Sequence, residues 1–177
     1  IKSEIKESLF TKFLKKNTCY WPQSVDTGCR HSTSLKVDSN KTFKCFNDFQ
    51  NRSTLEAEKL WLQENQIALV LSDVASMPVK AACDLGIPSI LIGNFTWHDI
   101  YNHLPGAEEH KHLLQGLEEE YRCADLHILP QCHLPPLQIG KSKEVGFLAQ
   151  QGQNIRKDLE QYLDICFADK KIIFIYL

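Results

Sequence analysis

From residue 53 onward the chain switches regularly between two hydrophobic periods. "LEAEKLWLQEN" sets Leu55, Trp61 and Leu62 at helical spacing, and Ser53, three residues ahead of Glu56, has the form of a capping box. "IALVLSDV" is then a continuous apolar run of strand length, which predicts a strand covered on both faces. Pro78 suits the first turn of a helix through "VKAACDLG" that stops at Gly86, and Pro88 opens a second buried strand, "PSILIGNF". A short helix, "WHDIYNHL", is broken at Pro105 and Gly106. "AEEHKHLLQGLEEEYRCA" predicts a longer amphipathic helix interrupted at Gly116, with Glu118, Glu119, Glu120, Tyr121 and Arg122 on a solvated face. "DLHILP" and "KEVGFL" read as further strands across the Pro-rich link "PQCHLPPLQIGKS". "NIRKDLEQYLDI" reads as a helix and "KKIIFIYL" as a last apolar strand. Strands alternating with helices across short connections imply parallel pairing with right-handed crossovers, hence an α/β fold with a doubly wound, mostly parallel Rossmann-like sheet.

The first 52 residues are less periodic. "SEIKESLFTKFLKK" has helical spacing, whereas "NTCYWPQSVDTGCRHSTSLKVDSNKTF" is polar and turn-rich and fits short strands or a long loop. At the other end, "KKIIFIYL" is a strand with no crossover after it, which suggests the opening of a further domain. The N-terminal stretch is charged, lacks the apolar centre of a signal peptide and lacks an initiator methionine, so additional upstream residues are expected.

Composition narrows the classes. The 177 residues fit one ordinary domain able to bury a core, and 43% hydrophobic with 24% charged residues is globular rather than disordered. A net charge of -2, from 20 basic and 22 acidic residues well mixed along the chain, gives no electrostatic footprint for nucleic acid. No apolar run reaches the roughly 20 residues of a membrane span. Seven cysteines without a C-x-x-C pair suit free thiols in a reducing cytoplasm, and outside a secretory context "NRS" and "NFT" carry little weight as glycosylation sites.

The candidate chemistry gathers at two strand ends. Open parallel sheets bind ligands beyond the carboxyl ends of their strands. Asp73 ends the first buried strand; Asn94, Thr96, Trp97, His98 and Asp99 follow the second. One crossover helix joins the two ends, so they should be neighbours around a hollow open to solvent. Asp73 can orient or deprotonate a hydroxyl, or cap the helix that follows. Asn94, Thr96 and Trp97 can line a sugar or base site, or Thr96 can cap a helix while Trp97 packs in the core. His98 and Asp99 are candidates for proton transfer. The histidine pairs His98 with His103 and His110 with His112 lack the spacing of two ligands on one helical face, so no metal is expected. "GKS" at Gly140 to Ser142 has Pro135 where a phosphate loop needs glycine, and no dinucleotide fingerprint or G-x-S-x-G elbow occurs.

The stretch "LVLSDVASMPVKAACDLGIPSILIGNFTWHDIY" carries a resemblance. Ser72-Asp73-Val74, then Gly86-Ile87-Pro88-Ser89, then Asn94-Phe95-Thr96-Trp97 with Ile100 and Tyr101, is similar to the glycosyltransferase-like domain preceding the kinase in plant L-arabinokinases and to related bacterial predicted glycosyltransferases. The resemblance implies half of a GT-B architecture. Residues 1–148 would be a Rossmann-like acceptor-side domain incomplete at its N-terminus. Residues 149–177 would be an interdomain helix and the first strand of a donor-side domain. It implies a nucleotide sugar as donor substrate, no other cofactor, and a further C-terminal or kinase domain in the full-length chain, with the 177 residues inactive alone. Asp73, His98 and Asp99 would be the catalytic candidates, and Asn94, Thr96 and Trp97 would line the acceptor side. The rival readings are a non-catalytic binding or regulatory module fused to a sugar kinase, and a nucleotide-sugar epimerase or hydrolase on the same fold.

Overall fold

A computed structural model describes residues 1–11, 18–50, 54–137, 139–148, 154 and 156–166. The expected capping residue Ser53 and the final run "KKIIFIYL" lie outside them. The chain divides into two compact units, Ile1–Phe147 and Leu148–Leu177. In chain order the first unit holds β1 (Lys2–Ser3), α1 (Glu7–Thr11), β2 (Trp21–Pro22), β3 (His31–Thr33), β4 (Lys36–Val37), α2 (Ser39–Gln50), α3 (Thr54–Glu64), β5 (Val70–Asp73), α4 (Met77–Asp84), β6 (Ser89–Ile92) and α5 (Trp97–Tyr101). A 3-10 turn (Ala107–His110), α6 (Lys111–Arg122), β7 (Leu126–Leu129) and β8 (Ser142–Glu144) follow, and the second unit holds α7 (Arg156–Leu163).

The expected fold class is the one adopted. β5, β6, β7 and β8 form a four-stranded, all-parallel sheet in chain order, flanked by helices in a Rossmann-like α/β arrangement. The register sets Ser72 beside Leu91 and Leu91 beside His127. β1 and β2 form a separate parallel ribbon, and β3 and β4 an antiparallel one.

β5 is not covered on both faces. Along β5 buried Val70 and Ser72 alternate with exposed Leu71 and Asp73, and Leu71 is 62% exposed. Because β5, β6 and β7 add in one direction, right-handed crossovers carry α4 and α6 over the same face. The core forms there: Phe43 and Phe46 of α2, Val79, Leu91, Tyr101, Leu114, Leu117 and Tyr121 make one cluster. Leu62 of α3 joins Val70, Ala81 and Ala82 in a second.

Other local expectations change. The first residues extend as β1 rather than joining the helix of α1. The turn-rich region contains α2, whose start is capped by Asp38 accepting from the Lys41 amide at 3.0 Å. Gly116 does not interrupt α6, which runs through it. Tyr121 is fully buried, not solvated, and Glu120 accepts from Ser76 Oγ at 2.6 Å and Gln50 Nε2 at 3.0 Å. Packing along the Leu114, Leu117, Tyr121 row outweighs the charges around it.

Candidate functional site

β5 ends in an abrupt turn. Val74 has φ 63°, the left-handed region that a β-branched residue rarely enters. Two bonds hold it there: the Val74 amide donates to the Ile92 carbonyl at 3.1 Å, and Tyr121 Oη donates to the Val74 carbonyl at 2.6 Å. The same phenol oxygen accepts from the Trp97 amide at 3.0 Å. One hydroxyl therefore ties the turn after β5 to the first residue of α5. Burial pushes the Tyr121 phenol well above its ordinary value, so it stays protonated and donating. Gly93 permits the close approach: a Cβ there would stand 3.0 Å from Val74 Cγ2 and 3.0 Å from the Phe95 carbonyl.

On the outer side, Asp73 is exposed at the strand end, yet partial burial raises its carboxyl above the ordinary value, helped by the negative charge of Asp26. Asp26 was not singled out by the sequence. Its Oδ2 accepts from Trp97 Nε1 at 3.0 Å. Trp97 stacks on Tyr101 (5.6 Å, 24°) and meets Phe95 edge-on (5.3 Å, 76°). Tyr101 Oη donates to the Gly28 carbonyl at 2.9 Å, so the Asp26–Gly28 turn lies along an aromatic wall. Asp26 and Asp73, with Ser24 and Ser72, border a cavity of about 600 Å³.

The expected residues divide into groups. Asp73 lines the same cavity as Asp26, which bonds Trp97. Thr96 and Asp99 engage each other: Thr96 Oγ1 accepts from the Asp99 amide at 3.2 Å, while Asp99 Oδ2 accepts from the Thr96 amide at 2.8 Å and from Thr96 Oγ1 at 2.7 Å. This is the capping box of α5, and Thr96 is 1% exposed. His98 turns toward α6, with Nε2 4.0 Å from Glu118 Oε2. Asn94 is exposed, and its carbonyl accepts from the Leu134 amide at 2.7 Å. Asp73 makes no cap; Ser76 occupies the N-cap of α4. Asp26 escaped notice because nothing local ties it to Trp97, 71 residues away. Tyr121 left a signal, its helical phase with Leu114 and Leu117.

Among the described residues no three His, Cys, Asp or Glu side chains are grouped to hold a metal ion, and no helix is long and apolar enough to cross a membrane. All seven cysteines are free.

No protein-family model matches the chain, and no solved structure matches it. Over 144 residues, 76% of the chain, it is 28% identical to L-arabinokinase of Arabidopsis thaliana, a distant similarity. The chain spans 14% of that protein's length.

Proposed function

We propose that these residues form the acceptor-side, sugar-binding part of a glycosyltransferase-like protein, with a nucleotide sugar as donor substrate. The observation that carries the reading is that Asp73 and Asp26, the latter bonded to Trp97 Nε1, line one cavity at the carboxyl end of a parallel strand, where such sheets bind ligands. Two carboxylates lining one cavity can accept hydrogen bonds from neighbouring hydroxyls of a sugar ring. A carboxyl held above its ordinary value is a stronger base than a free aspartate, so Asp73 is the candidate to take the proton of an attacking hydroxyl. Asp26 orients Trp97 and keeps negative charge beside Asp73. Asn94 is exposed for ligand contact, whereas Thr96 and Asp99 support the site by fixing the start of α5. His98 is a secondary proton-transfer candidate, and the distant likeness to a sugar kinase supports a sugar ligand.

A second reading rests on that likeness: a binding module that senses sugar for a kinase elsewhere in the polypeptide. Calorimetric titration of the full-length polypeptide with L-arabinose, D-galactose, UDP-glucose and UDP-galactose tests both. Saturable sugar binding is expected, weakened at least about tenfold by Asp73→Asn, which is about 1.4 kcal/mol, with the melting temperature unchanged. Product analysis then separates the readings, since a transferase yields a glycoside and a sensing module yields none. No binding of any probe up to about 10 mM, where affinity is worth only about 3 kcal/mol, would overturn both.

A further inference from the structure

α4 and α6 pack side by side, and each leads into the next strand of the main sheet. Val79 of α4 joins Leu117 and Tyr121 of α6 in the main core cluster, and Ser76 Oγ donates to Glu120 Oε2 at 2.6 Å. The strands they feed, β6 and β7, are parallel neighbours tied at their starts. There the Asp125 amide donates to the Ser89 carbonyl at 3.2 Å, and the Ser89 amide donates to Asp125 Oδ2 at 2.8 Å. The carboxyl ends of the two helices are therefore held together, by the core on one side and by the strand starts on the other. Each end carries a cysteine. Cys83 stands one helical turn beyond Val79 on the same face of α4, and Cys123 is the C-cap of α6, two residues beyond Tyr121. The thiols are neighbours: burial first, then the hydrogen bond and charge of Cys83, push the Cys123 thiol up to about 11. Cys83 is exposed, whereas Cys123 is partly buried and its Sγ donates to the Glu119 carbonyl at 3.4 Å. A cysteine can serve merely as a small apolar residue, but an exposed Cys83 gains little from that role.

We propose that Cys83 and Cys123 form a reversible dithiol–disulfide site, which takes small-molecule disulfides of the glutathione class as its oxidant and, once closed, clamps the end of α4 to the end of α6. Cys83, open to solvent, attacks first as its thiolate. The S–S bond of the small disulfide breaks, one thiol leaves, and the other half stays on Cys83 as a mixed disulfide. Cys123 keeps its proton and does not compete for that step. Its thiolate, the minor form, then attacks the Cys83 sulfur and expels the second thiol. The Lys80 ammonium, paired with Asp84, stands near enough to favour that thiolate. Two protein thiols lose two electrons, the small disulfide is reduced to two thiols, and the two protons end on them. The new bond closes a loop through β6, α5 and α6, and so constrains the unfolded chain. It lies at the strand-start end of the sheet, opposite Asp73, and the proposal does not depend on the sugar-binding reading.

Incubation of the full chain with glutathione disulfide tests it, followed by alkylation of the remaining thiols, tryptic digestion without reductant and mass spectrometry. A linked pair of peptides, 81–111 with 123–141, is expected, two hydrogens lighter than the separate peptides. The second peptide also contains Cys132, so the link must persist in Cys132→Ser and vanish in Cys123→Ser, where Cys83 carries glutathione instead. The oxidised chain should melt roughly 5 °C or more above the reduced one. A reductant should remove that gain, and Cys123→Ser should lack it. A glutathione adduct that stays on Cys83 while Cys123 remains free overturns the proposal, as does a bond from Cys83 to any other cysteine. Failure of glutathione disulfide to oxidise either thiol also overturns it, and so does a linked form that melts no higher than the reduced chain.

Discussion

Tyr121 shows how much one hydroxyl can organise. It donates to Val74 and accepts from Trp97, and so fixes both sides of the candidate site from one position on α6. Tyr121→Phe keeps the ring in its packing and strands a part-buried carbonyl and a part-buried amide. Since an unpaired buried polar group costs about 1–3 kcal/mol, urea unfolding should show a loss of about 2 kcal/mol or more. The charges around Tyr121 in "LEEEYR" made it read as surface, although its helical phase with Leu114 and Leu117 already marked it as core. Asp26 was illegible for another reason: its partner lies far along the chain, and a turn-rich stretch offers no period from which to project a contact. Asp73, at the tip of a clear strand, was legible from position alone.

At the scale of elements, the sequence conveyed long periodic segments well and short or crowded ones poorly. α3, α4, β5 and β6 were all read from hydrophobic period and from Pro and Gly punctuation. α2 was not, although Phe43 and Phe46 stand one turn apart and Asp38 caps its start; its polar neighbours hid the stripe. The coverage of β5 was misjudged because a continuous apolar run does not tell which face a helix will reach. α5, of five residues, depends heavily on its ends. Thr96→Ala removes the side-chain half of its capping box and should cost about 1 kcal/mol, read as a lower midpoint in urea. Thr96→Ser should recover most of the loss, because a serine hydroxyl accepts the same bond.

Across the whole molecule, the protonation of one residue couples the sheet to pH. His127 lies in β7, next to Leu91 of β6, and is 1% exposed, its ring nitrogens without a well-formed hydrogen bond although the Gly93 backbone lies beside them. Burial lowers its pKa below the ordinary histidine value. A base whose folded pKa is depressed binds its proton more readily when unfolded. Its contribution therefore favours the fold above the unfolded value of about 6.5 and is lost as pH falls below that. Unfolding midpoints measured from pH 8 down to pH 5 should fall with acidity, and His127→Leu should flatten this part of the profile. The variant should also gain about 1 kcal/mol at pH 7 by removing buried, poorly satisfied nitrogens. The order of the main sheet has its own consequence. Since β5 to β8 join it in chain order, each strand emerging from a ribosome meets a template already laid down, and assembly can keep pace with synthesis. The longer-range step is docking the amino-terminal ribbon, whose Lys2 must find Glu58 across 56 residues of chain.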